Sequence, residues 1–443
     1  MDARKPDITR SNALWHRAER IIPMGTQTYS KRPNQFVDGL TPKYLERGRG
    51  CLTWDVDGNE YIDYVMACQP VILGYCDPDV DAAIIEQLRN GIVFSLATPL
   101  EVEVAERLID IIPCAEGVRF GKNGADATSA AVRVARAVTE REHVAYCGYH
   151  GWHDWYIANT DRNAGIPRFN QDLTHAFSYN DLDSLAQVFE RHKNQIACVI
   201  MEPLQVAEPK DNFLHKVRDL AHANGALLVF DEIITGFRFA EGGAQQLIGV
   251  TPDLACFAKA MSNGMPVSAV VGKHEYIQAL ENTFFSFTYG GETLSLAAAR
   301  ATIDKIRREK VIDHLWTVGG RLKEGFNALA ARHGVEDFVQ CLGYPCRTVV
   351  SFDGRGRFDS LEIKTLFQQE TIKRGVLFGG YHSMSFSHTA DIVDRTLEVY
   401  DDTMKVLRSI IDQNKPITDF LEGPVVQPVF RKVNDFMAQT TRR

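Results

Sequence analysis

The fold that we expect for this chain follows from the stretch Asp253-Leu254-Ala255-Cys256-Phe257-Ala258-Lys259-Ala260-Met261-Ser262-Asn263-Gly264. An apolar run typical of a buried strand leads to a single lysine, Lys259, and a glycine-containing turn follows it. A second apolar run, 226–230, ends in the acidic pair Asp231-Glu232. Because ligands of open α/β sheets collect beyond the carboxyl ends of the strands, we expect Asp231 and Lys259 to border one site.

The region around these two residues alternates short apolar runs with segments of helical periodicity. The runs expected as buried strands are 118–120, 144–146, 197–201, 226–230, 254–257 and 267–271. Residues 214–224 have the periodicity of a helix, which ends at Asn224-Gly225 as helices commonly do. This alternation predicts an α/β fold, in which helices cover both faces of a mostly parallel sheet in a large domain.

The ends of the chain have a different pattern, which predicts a smaller α+β domain. Asp57-Gly58 predicts the tight turn of a hairpin within 52–63. Beyond Gly319-Gly320 we expect helices over 321–333, 360–374 and 390–412 and a strand over 348–352. We therefore assign residues 1–60 to an N-terminal arm, 61–318 to the large domain and 319–443 to a C-terminal small domain.

A strand-end aspartate combined with a strand-end lysine is what the chemistry of pyridoxal 5′-phosphate (PLP) requires. The lysine forms a Schiff base with the cofactor, and the carboxylate keeps the pyridine nitrogen protonated so that the ring accepts electrons. Taken alone, a lysine after a strand is more often a solvated loop residue. The motifs around the two residues have to decide between these interpretations.

Two motifs favour the cofactor. They are the segments Asp231-Glu232-Ile233-Ile234-Thr235-Gly236-Phe237-Arg238 and Ala258-Lys259-Ala260-Met261-Ser262-Asn263-Gly264-Met265-Pro266. Both resemble signatures of the class III (omega) aminotransferases, and within them of the glutamate-1-semialdehyde 2,1-aminomutase branch. The resemblance covers residues from about 22 to about 397. It implies the PLP-dependent transferase fold-type I (aspartate aminotransferase-like), with the N-terminal arm and C-terminal domain joined in the small domain. It also implies PLP as cofactor, Lys259 and Asp231 as catalytic residues, and Ile233 beside the cofactor.

Residues 120–127, Phe-Gly-Lys-Asn-Gly-Ala-Asp-Ala, follow a predicted strand and open a predicted helix. Gly124 and Ala125 therefore offer unpaired backbone N–H groups at a helix N-terminus, where an anion is bound favourably, although a plain glycine turn has the same pattern. The resemblance assigns this site to the cofactor phosphate. Ala125 stands where the family commonly has Thr or Ser, and Lys122 is unusual there and a candidate for added positive charge.

The resemblance extends the site to further positions. Tyr149 matches the aromatic residue that stacks on the cofactor ring, His150 matches the next position of the family's Tyr-His-Gly, and Glu202 matches a catalytic glutamate near the cofactor O3′. Thr288 matches a threonine that reaches the phosphate of the partner subunit, so that the active site is complete only in a homodimer. Glu292 departs from the family pattern and is either a solvated loop carboxylate or a substrate contact.

The amino-acid composition of the chain limits the binding partners and the cellular compartment that we expect. The net charge of −8 and the pI of about 5.9 give no support to binding of nucleic acid or an anionic membrane, and no apolar run approaches the ~20 residues of a membrane span. The first residues lack the apolar stretch of a secretion signal. Nine scattered cysteines without paired ligand spacing favour free thiols in a reducing cytoplasm and no metal site.

The substrate is the least determined part of the prediction. The aminomutase branch holds its substrate carboxylate with an N-terminal arginine, where this chain has Lys31 followed by Arg32, and lysine is not a bidentate carboxylate clamp. We therefore expect an aminotransferase that moves an amino group between an amino acid donor and an aldehyde or ketone acceptor. The alternatives are a glutamate-1-semialdehyde-type 2,1-aminomutase, another PLP reaction on this fold, and a homologue without catalytic activity.

Overall fold

A computed structural model describes residues 3–427 of the chain, so the end of the expected C-terminal domain, 428–443, lies outside the described residues. The described chain divides into two compact units, one formed by 3–77 together with 313–427 and the other by 78–312. None of the helices in this part of the chain combines the length and the hydropathy that crossing a membrane requires.

The strands are, in chain order, β1 (Leu45–Arg49), β2 (Leu52–Asp55), β3 (Glu60–Asp63), β4 (Gly117–Gly121), β5 (His143–Cys147), β6 (Thr174–Ala176), β7 (Ile196–Met201), β8 (Leu227–Asp231), β9 (Leu254–Phe257), β10 (Ser268–Gly272), β11 (Val339–Tyr344), β12 (Arg347–Phe352), β13 (Val376–Leu377) and β14 (Tyr381–Ser383). The helices are α1 (Thr9–Ala18), α2 (Pro78–Asn90), α3 (Pro99–Ile111), α4 (Gly124–Thr139), α5 (Asp154–Ile157), α6 (Phe169–Asp172), α7 (Leu182–Arg191), α8 (Phe213–Ala223), α9 (Ala244–Ile248), α10 (His274–Ile277), α11 (Thr293–Arg308), α12 (Val311–Arg332), α13 (Ser360–Ile372) and α14 (Ala390–Gln413).

A seven-stranded sheet with the order β4-β10-β9-β8-β7-β5-β6 forms the centre of unit 78–312. Strand β10 runs antiparallel to its neighbours β4 and β9, and the other pairs in this sheet are parallel. Every residue of β7, β8, β9 and β10 is buried, which explains why their sequences are continuous apolar runs. The six predicted strands and the mostly parallel α/β sheet are confirmed.

Helix α4 packs on this sheet through small side chains. Asn123 and Asp126 form a capping box that satisfies donors at the start of the helix. The apolar face of the helix is buried at Ala127, Ala130, Ala131, Val134 and Ala135, whereas Val138 is 37% exposed. Val138 escapes burial because it lies in the last turn, one residue before the helix ends at Thr139.

The other unit contains two smaller sheets, with the orders β1-β2-β3-β13 and β11-β12-β14. The predicted hairpin is β2 and β3, which pair antiparallel with Leu52 opposite Ile62. Gly58 in its turn has a φ of 92°, a left-handed conformation that glycine adopts without strain. Strand β13 pairs in parallel with β3 and thereby joins the two chain segments of this unit.

The helices of this unit match the expectation at 360–372 and 390–413 but differ at α12. The prediction that a helix begins only at Arg321 is wrong, because α12 begins at Val311 and continues through Gly319 and Gly320. Gly319 packs so closely against the backbone carbonyl of Pro345 that a Cβ there would overlap with it. The glycine therefore serves close packing inside a helix and does not mark a helix boundary.

Candidate functional site

Asp231 and Lys259 follow neighbouring parallel strands. Asp231 is the last residue of β8 and lies opposite Cys256 of β9, and the N–H of Glu232 donates to the carbonyl oxygen of Cys256 at 2.9 Å. Lys259 comes two residues after the end of β9, so both residues lie at the carboxyl edge of the sheet. Lys259 has a φ of 47°, a left-handed conformation that is uncommon and costly for a residue with a side chain.

The carboxylate of Asp231 is held from two sides. Its Oδ2 accepts a hydrogen bond from Nδ1 of His150 at 2.8 Å, and its Oδ1 accepts the backbone N–H of Ile233 at 3.1 Å. Asp231 is 3% exposed and His150 is 1% exposed, and the His150 ring stacks on Trp155 with ring centroids 6.0 Å apart. Among residues 3–427, Nε2 of His150 has no hydrogen-bond partner, which is rare for a buried polar atom.

The turn between β4 and α4 has the features of an anion site. Oδ2 of Asp126 accepts the backbone N–H groups of the two residues before the helix, at 3.1 and 2.7 Å. The next N–H groups, those of Gly124 and Ala125, belong to the first helical turn and have no carbonyl acceptor inside the helix. A Cβ at Gly124 would lie 2.6 Å from Cδ1 of Ile233, so this turn packs directly against the residues that follow β8.

Tyr149 and Glu202 meet where β5 and β7 end. The N–H of Tyr149 donates to Oε2 of Glu202 at 3.3 Å, and the N–H of Glu202 donates to the carbonyl of Cys147 at 3.1 Å. Gly148 has a φ of 120°, and a Cβ there would lie 2.6 Å from the same Oε2, so the carboxylate lies against the turn. The Tyr149 side chain is 50% exposed and packs edge-on against Tyr156 at 5.5 Å, which leaves part of its ring accessible to a ligand.

Lys122 and Glu292 form an ion pair, with Nζ 2.9 Å from Oε2 and with side chains only 15% and 12% exposed. Glu292 also caps α11, because it accepts the N–H of Leu294 at 2.6 Å and the hydroxyl of Ser295 at 2.5 Å. Burial raises the pKa of Glu292, but the hydrogen bonds from Ser295 and Lys122 outweigh burial and leave the pKa below its usual value. Of the two alternatives that the sequence left open for Glu292, the solvated loop carboxylate is therefore excluded.

Thr288 lies in the turn 288–291 and is exposed. In the part of the chain that the structure describes, no hydrogen bond connects Thr288 to Asp231, Lys259 or Gly124. Within one chain, Asp231 thus contacts His150 and Ile233, and Tyr149 contacts Glu202.

Glu232 was not expected to have a role of its own, but it organises the loop after β8. Its Oε1 accepts the N–H of Gln245 at 2.9 Å, and its Oε2 accepts the N–H of Ala244 at 2.7 Å and the hydroxyl of Thr235. Burial raises the pKa of Glu232, and the hydrogen bonds offset this only in part. The signal in the sequence was a carboxylate at the end of a buried apolar strand, where an unpartnered charge is too costly to persist.

This set of groups fits PLP. It comprises an anion site at a helix start, a buried and oriented carboxylate, a partly exposed aromatic ring and a lysine. The unpartnered Nε2 of His150 and the left-handed backbone of Lys259 are both features that a protein retains at a ligand site more often than in a plain core.

Comparison with known protein sequences agrees with this fit. The family model for "Aminotransferase class-III" matches residues 37–392. A 3-aminobutyryl-CoA aminotransferase of Cloacimonas acidaminovorans (strain Evry) is 36% identical over 421 residues, which cover 92% of this chain and 100% of that protein. A glutamate-1-semialdehyde 2,1-aminomutase of Desulforudis audaxviator (strain MP104C) is 35% identical over 428 residues, which cover 90% and 98%.

Solved structures share the fold. The FumI protein of Sphingopyxis sp. MTA144, determined in a PLP-containing form, superposes with a TM-score of 0.85 at 30% identity, and the match covers 94% of this chain and 99% of that one. An omega-transaminase from Sphaerobacter thermophilus superposes with a TM-score of 0.81 at 26% identity, covering 89% and 97%.

Proposed function

This chain belongs to the class III aminotransferases, which are PLP-dependent transaminases, and we propose that Lys259 is the residue to which its cofactor is attached. The pairing of β8 with β9 is the observation that carries this proposal, because Asp231 and Lys259 follow the ends of these two strands. The left-handed backbone of Lys259 supports it further, since such a conformation has to be held by its surroundings.

The residues around Lys259 have distinct tasks in the proposed site. When bound, PLP supplies an electron sink for the charge that develops at the substrate carbon. Asp231 holds the ring nitrogen in its protonated form, and His150 keeps the Asp231 carboxylate oriented through its hydrogen bond. The N–H groups of Gly124 and Ala125, together with the α4 dipole, would hold the phosphate, and Ile233 packs against Gly124 of this turn.

Tyr149, Glu202 and Lys259 complete the proposed machinery. Tyr149 would cover one face of the cofactor ring and exclude water. Glu202 fixes the Tyr149 backbone and would set the protonation on the O3′ side. Lys259 would act as the base that moves the proton at the substrate carbon that bears nitrogen, and PLP would supply the electron sink for that carbon. The same lysine reverses this transfer when the carbonyl acceptor binds.

We propose that the enzyme is a cytoplasmic homodimer and that Thr288 acts across the subunit interface. The exposure of Thr288 supports this assignment, because its side chain is available to a neighbouring subunit. The cysteines support the compartment: all nine are free, and most are buried, as expected of thiols in a reducing environment.

The proposed substrates are an amino acid as donor and an aldehyde or ketone as acceptor. The relative named for 3-aminobutyryl-CoA makes a 3-oxoacyl group the first acceptor to test. A 2,1-aminomutase is the second candidate, because a relative with that name is nearly as similar. Lys31 weakens that candidate, since it stands where that branch has its carboxylate-binding arginine and lysine is not a bidentate clamp. The neighbouring Arg32 has its guanidinium 5.7 Å from the ring centroid of Tyr29.

A half-reaction distinguishes the two candidates. Holoenzyme is mixed with single donors (L-glutamate, L-alanine, 3-aminobutyrate) without acceptor, the absorbance of the lysine-bound cofactor is followed, and products are identified by mass spectrometry. We expect one donor to abolish this absorbance and to release its keto product in an amount equal to the enzyme sites. An aminomutase would instead isomerise a substrate that carries both an amine and a carbonyl, with no keto product released. If no donor and no such substrate reacts, the proposal is wrong.

A further inference from the structure

Three histidines that have no part in the proposed active site converge at one edge of the seven-stranded sheet. His143 is the first residue of β5, His175 lies in the edge strand β6, and His192 directly follows α7. One ring nitrogen from each lies within 4.8 Å of the others. Three imidazoles at this separation are typical of a transition-metal site.

The backbones that carry these side chains are fixed. The N–H of His143 donates to the carbonyl of Gln195 at 3.1 Å, and the N–H of His192 donates to that of Val188 at 3.1 Å. His175 lies opposite Ala145 in the parallel pairing of β5 with β6. The cluster is therefore built on regular structure, and a ligand would need to rearrange the rings alone. All three side chains are half-buried, so an ion can reach them from solvent.

The ring geometry shows how little rearrangement is needed. Nδ1 of His143 lies 2.8 Å from Nε2 of His175, and the rings of His175 and His192 stack with centroids 3.7 Å apart. Zinc–nitrogen distances of about 2.0–2.1 Å place tetrahedral ligands roughly 3.4 Å apart. Small rotations of the rings would therefore replace the hydrogen bond between His143 and His175 by one bond from each ring to the metal. The same rotations would separate the stacked rings of His175 and His192.

We propose that His143, His175 and His192 bind one divalent transition-metal ion, of which zinc is the first to test. Imidazole nitrogen favours zinc, nickel and copper over magnesium and calcium, and a water molecule completes four-coordination. The site is separate from the PLP site, because His143 begins β5 whereas Tyr149 follows its end, which separates the two by about 13 Å of strand. The bound ion would link the edge strand β6 to β5 and to the end of α7.

This site departs from the expectation that the chain has no metal site. The sequence contains no signal for it, since the three histidines come from separate elements and no two have the close spacing of a metal-binding motif. It is the parallel pairing of β5 with β6 and the return of the chain from α7 that bring them together.

The test uses PLP-loaded full-length protein from which any histidine tag has been removed and which has been treated with EDTA. Zn²⁺ is titrated calorimetrically, and Co²⁺ is titrated with detection of its visible absorption bands, which report nitrogen coordination. We expect one ion per chain, tetrahedral cobalt bands and a higher melting temperature with Zn²⁺. The same titrations are made on His192→Phe, which retains a ring for the stack but no nitrogen, and on His175→Ala.

The matched control is His274→Ala, since His274 lies in the same unit, is exposed and is remote in sequence from the cluster. We expect His192→Phe and His175→Ala to weaken zinc binding at least tenfold and the control to leave it unchanged. Retention of bound PLP shows which variants are folded, and this readout is independent of the proposed transamination. Equal zinc binding by folded His192→Phe and wild-type protein, or no zinc binding by wild type, would overturn the proposal and leave the cluster as a stack of rings.

Discussion

Nδ1 of His150 donates a hydrogen bond of 2.8 Å to Oδ2 of Asp231, and both side chains are almost fully buried. The pair joins the loop after β5 to the end of β8, two segments that are 81 residues apart in the sequence. A buried carboxylate is oriented only as well as its donors allow, so we expect His150 to act as a positioning residue whose effect on catalysis passes through Asp231.

The first prediction separates these two roles. We expect Asp231→Asn to lower kcat by about 10²–10³, the loss typical of removing a preorganised electrostatic contact. His150→Phe keeps a ring against Trp155 but removes the donor, and we expect a smaller loss, about tenfold, together with a shifted pH profile of kcat. His215→Phe in α8 is the matched control. If His150→Phe and Asp231→Asn have the same kcat, His150 does more than position the aspartate.

The second prediction concerns the lysine. Borohydride treatment of holoenzyme should fix PLP to Lys259, and mass spectrometry of the peptides should find the added mass there. Lys259→Ala should lose this adduct and at least 10³-fold in kcat, because both the attachment and the proton transfer depend on the amine. Lys216→Ala, an exposed lysine of α8, should retain both. An adduct that survives in Lys259→Ala would show that another lysine carries the cofactor.

The third prediction tests the proposed phosphate site in the turn between β4 and α4, through the contact of Gly124 with Ile233. Gly124→Ala places a Cβ 2.6 Å from Cδ1 of Ile233, so either the turn or the isoleucine must move. We expect PLP affinity to fall about tenfold, which corresponds to about 1.4 kcal/mol. Adding Ile233→Val removes Cδ1 and should restore most of the affinity. Pyridoxal, which lacks the phosphate, is the control ligand, and its affinity should change little in either variant.

The parts of this picture that the sequence predicted are those set by local pattern. Buried apolar runs predicted the strands. Asp231 at the end of one run and Lys259 just after another predicted a single site, because parallel strands share a carboxyl edge. Two partners of Glu232, Ala244 and Gln245, could not be predicted, because they lie 12 and 13 residues further along the chain. The same limit hid the pairing of Lys122 with Glu292, whose two residues are 170 positions apart in the sequence.

The fourth prediction uses that ion pair. Glu292→Gln retains an oxygen for the α11 cap but leaves Lys122, which is only 15% exposed, without its counter-charge. We expect a loss of about 1–2 kcal/mol in stability at pH 7, between the values typical of exposed and of fully buried pairs. The pKa of Glu292 lies below its usual value of 4.5. Its contribution is therefore complete above pH 4.5 and is lost as the pH falls through the lower folded-state pKa.

Thermal unfolding of wild type, Glu292→Gln, Lys122→Met and the double variant, measured from pH 7 down to pH 3.5, checks this. The coupling between the two residues should be present at pH 7 and should shrink only below pH 4.5. A coupling that does not change over this range would mean that the two side chains interact through packing and not through charge.

The fifth prediction decides whether Thr288 acts within its own chain or across an interface. Thr288→Val should weaken PLP binding, because a hydroxyl donor to the phosphate is lost, and Lys259→Ala should abolish activity. A hybrid of one Thr288→Val chain and one Lys259→Ala chain combines an intact Lys259 from the first with an intact Thr288 from the second. If Thr288 acts across the interface, one site of the hybrid is complete, and the hybrid should recover about half of the wild-type activity at PLP concentrations that leave Thr288→Val inactive. If Thr288 acts within its own chain, both sites of the hybrid remain defective, and mixing the two variants should restore nothing.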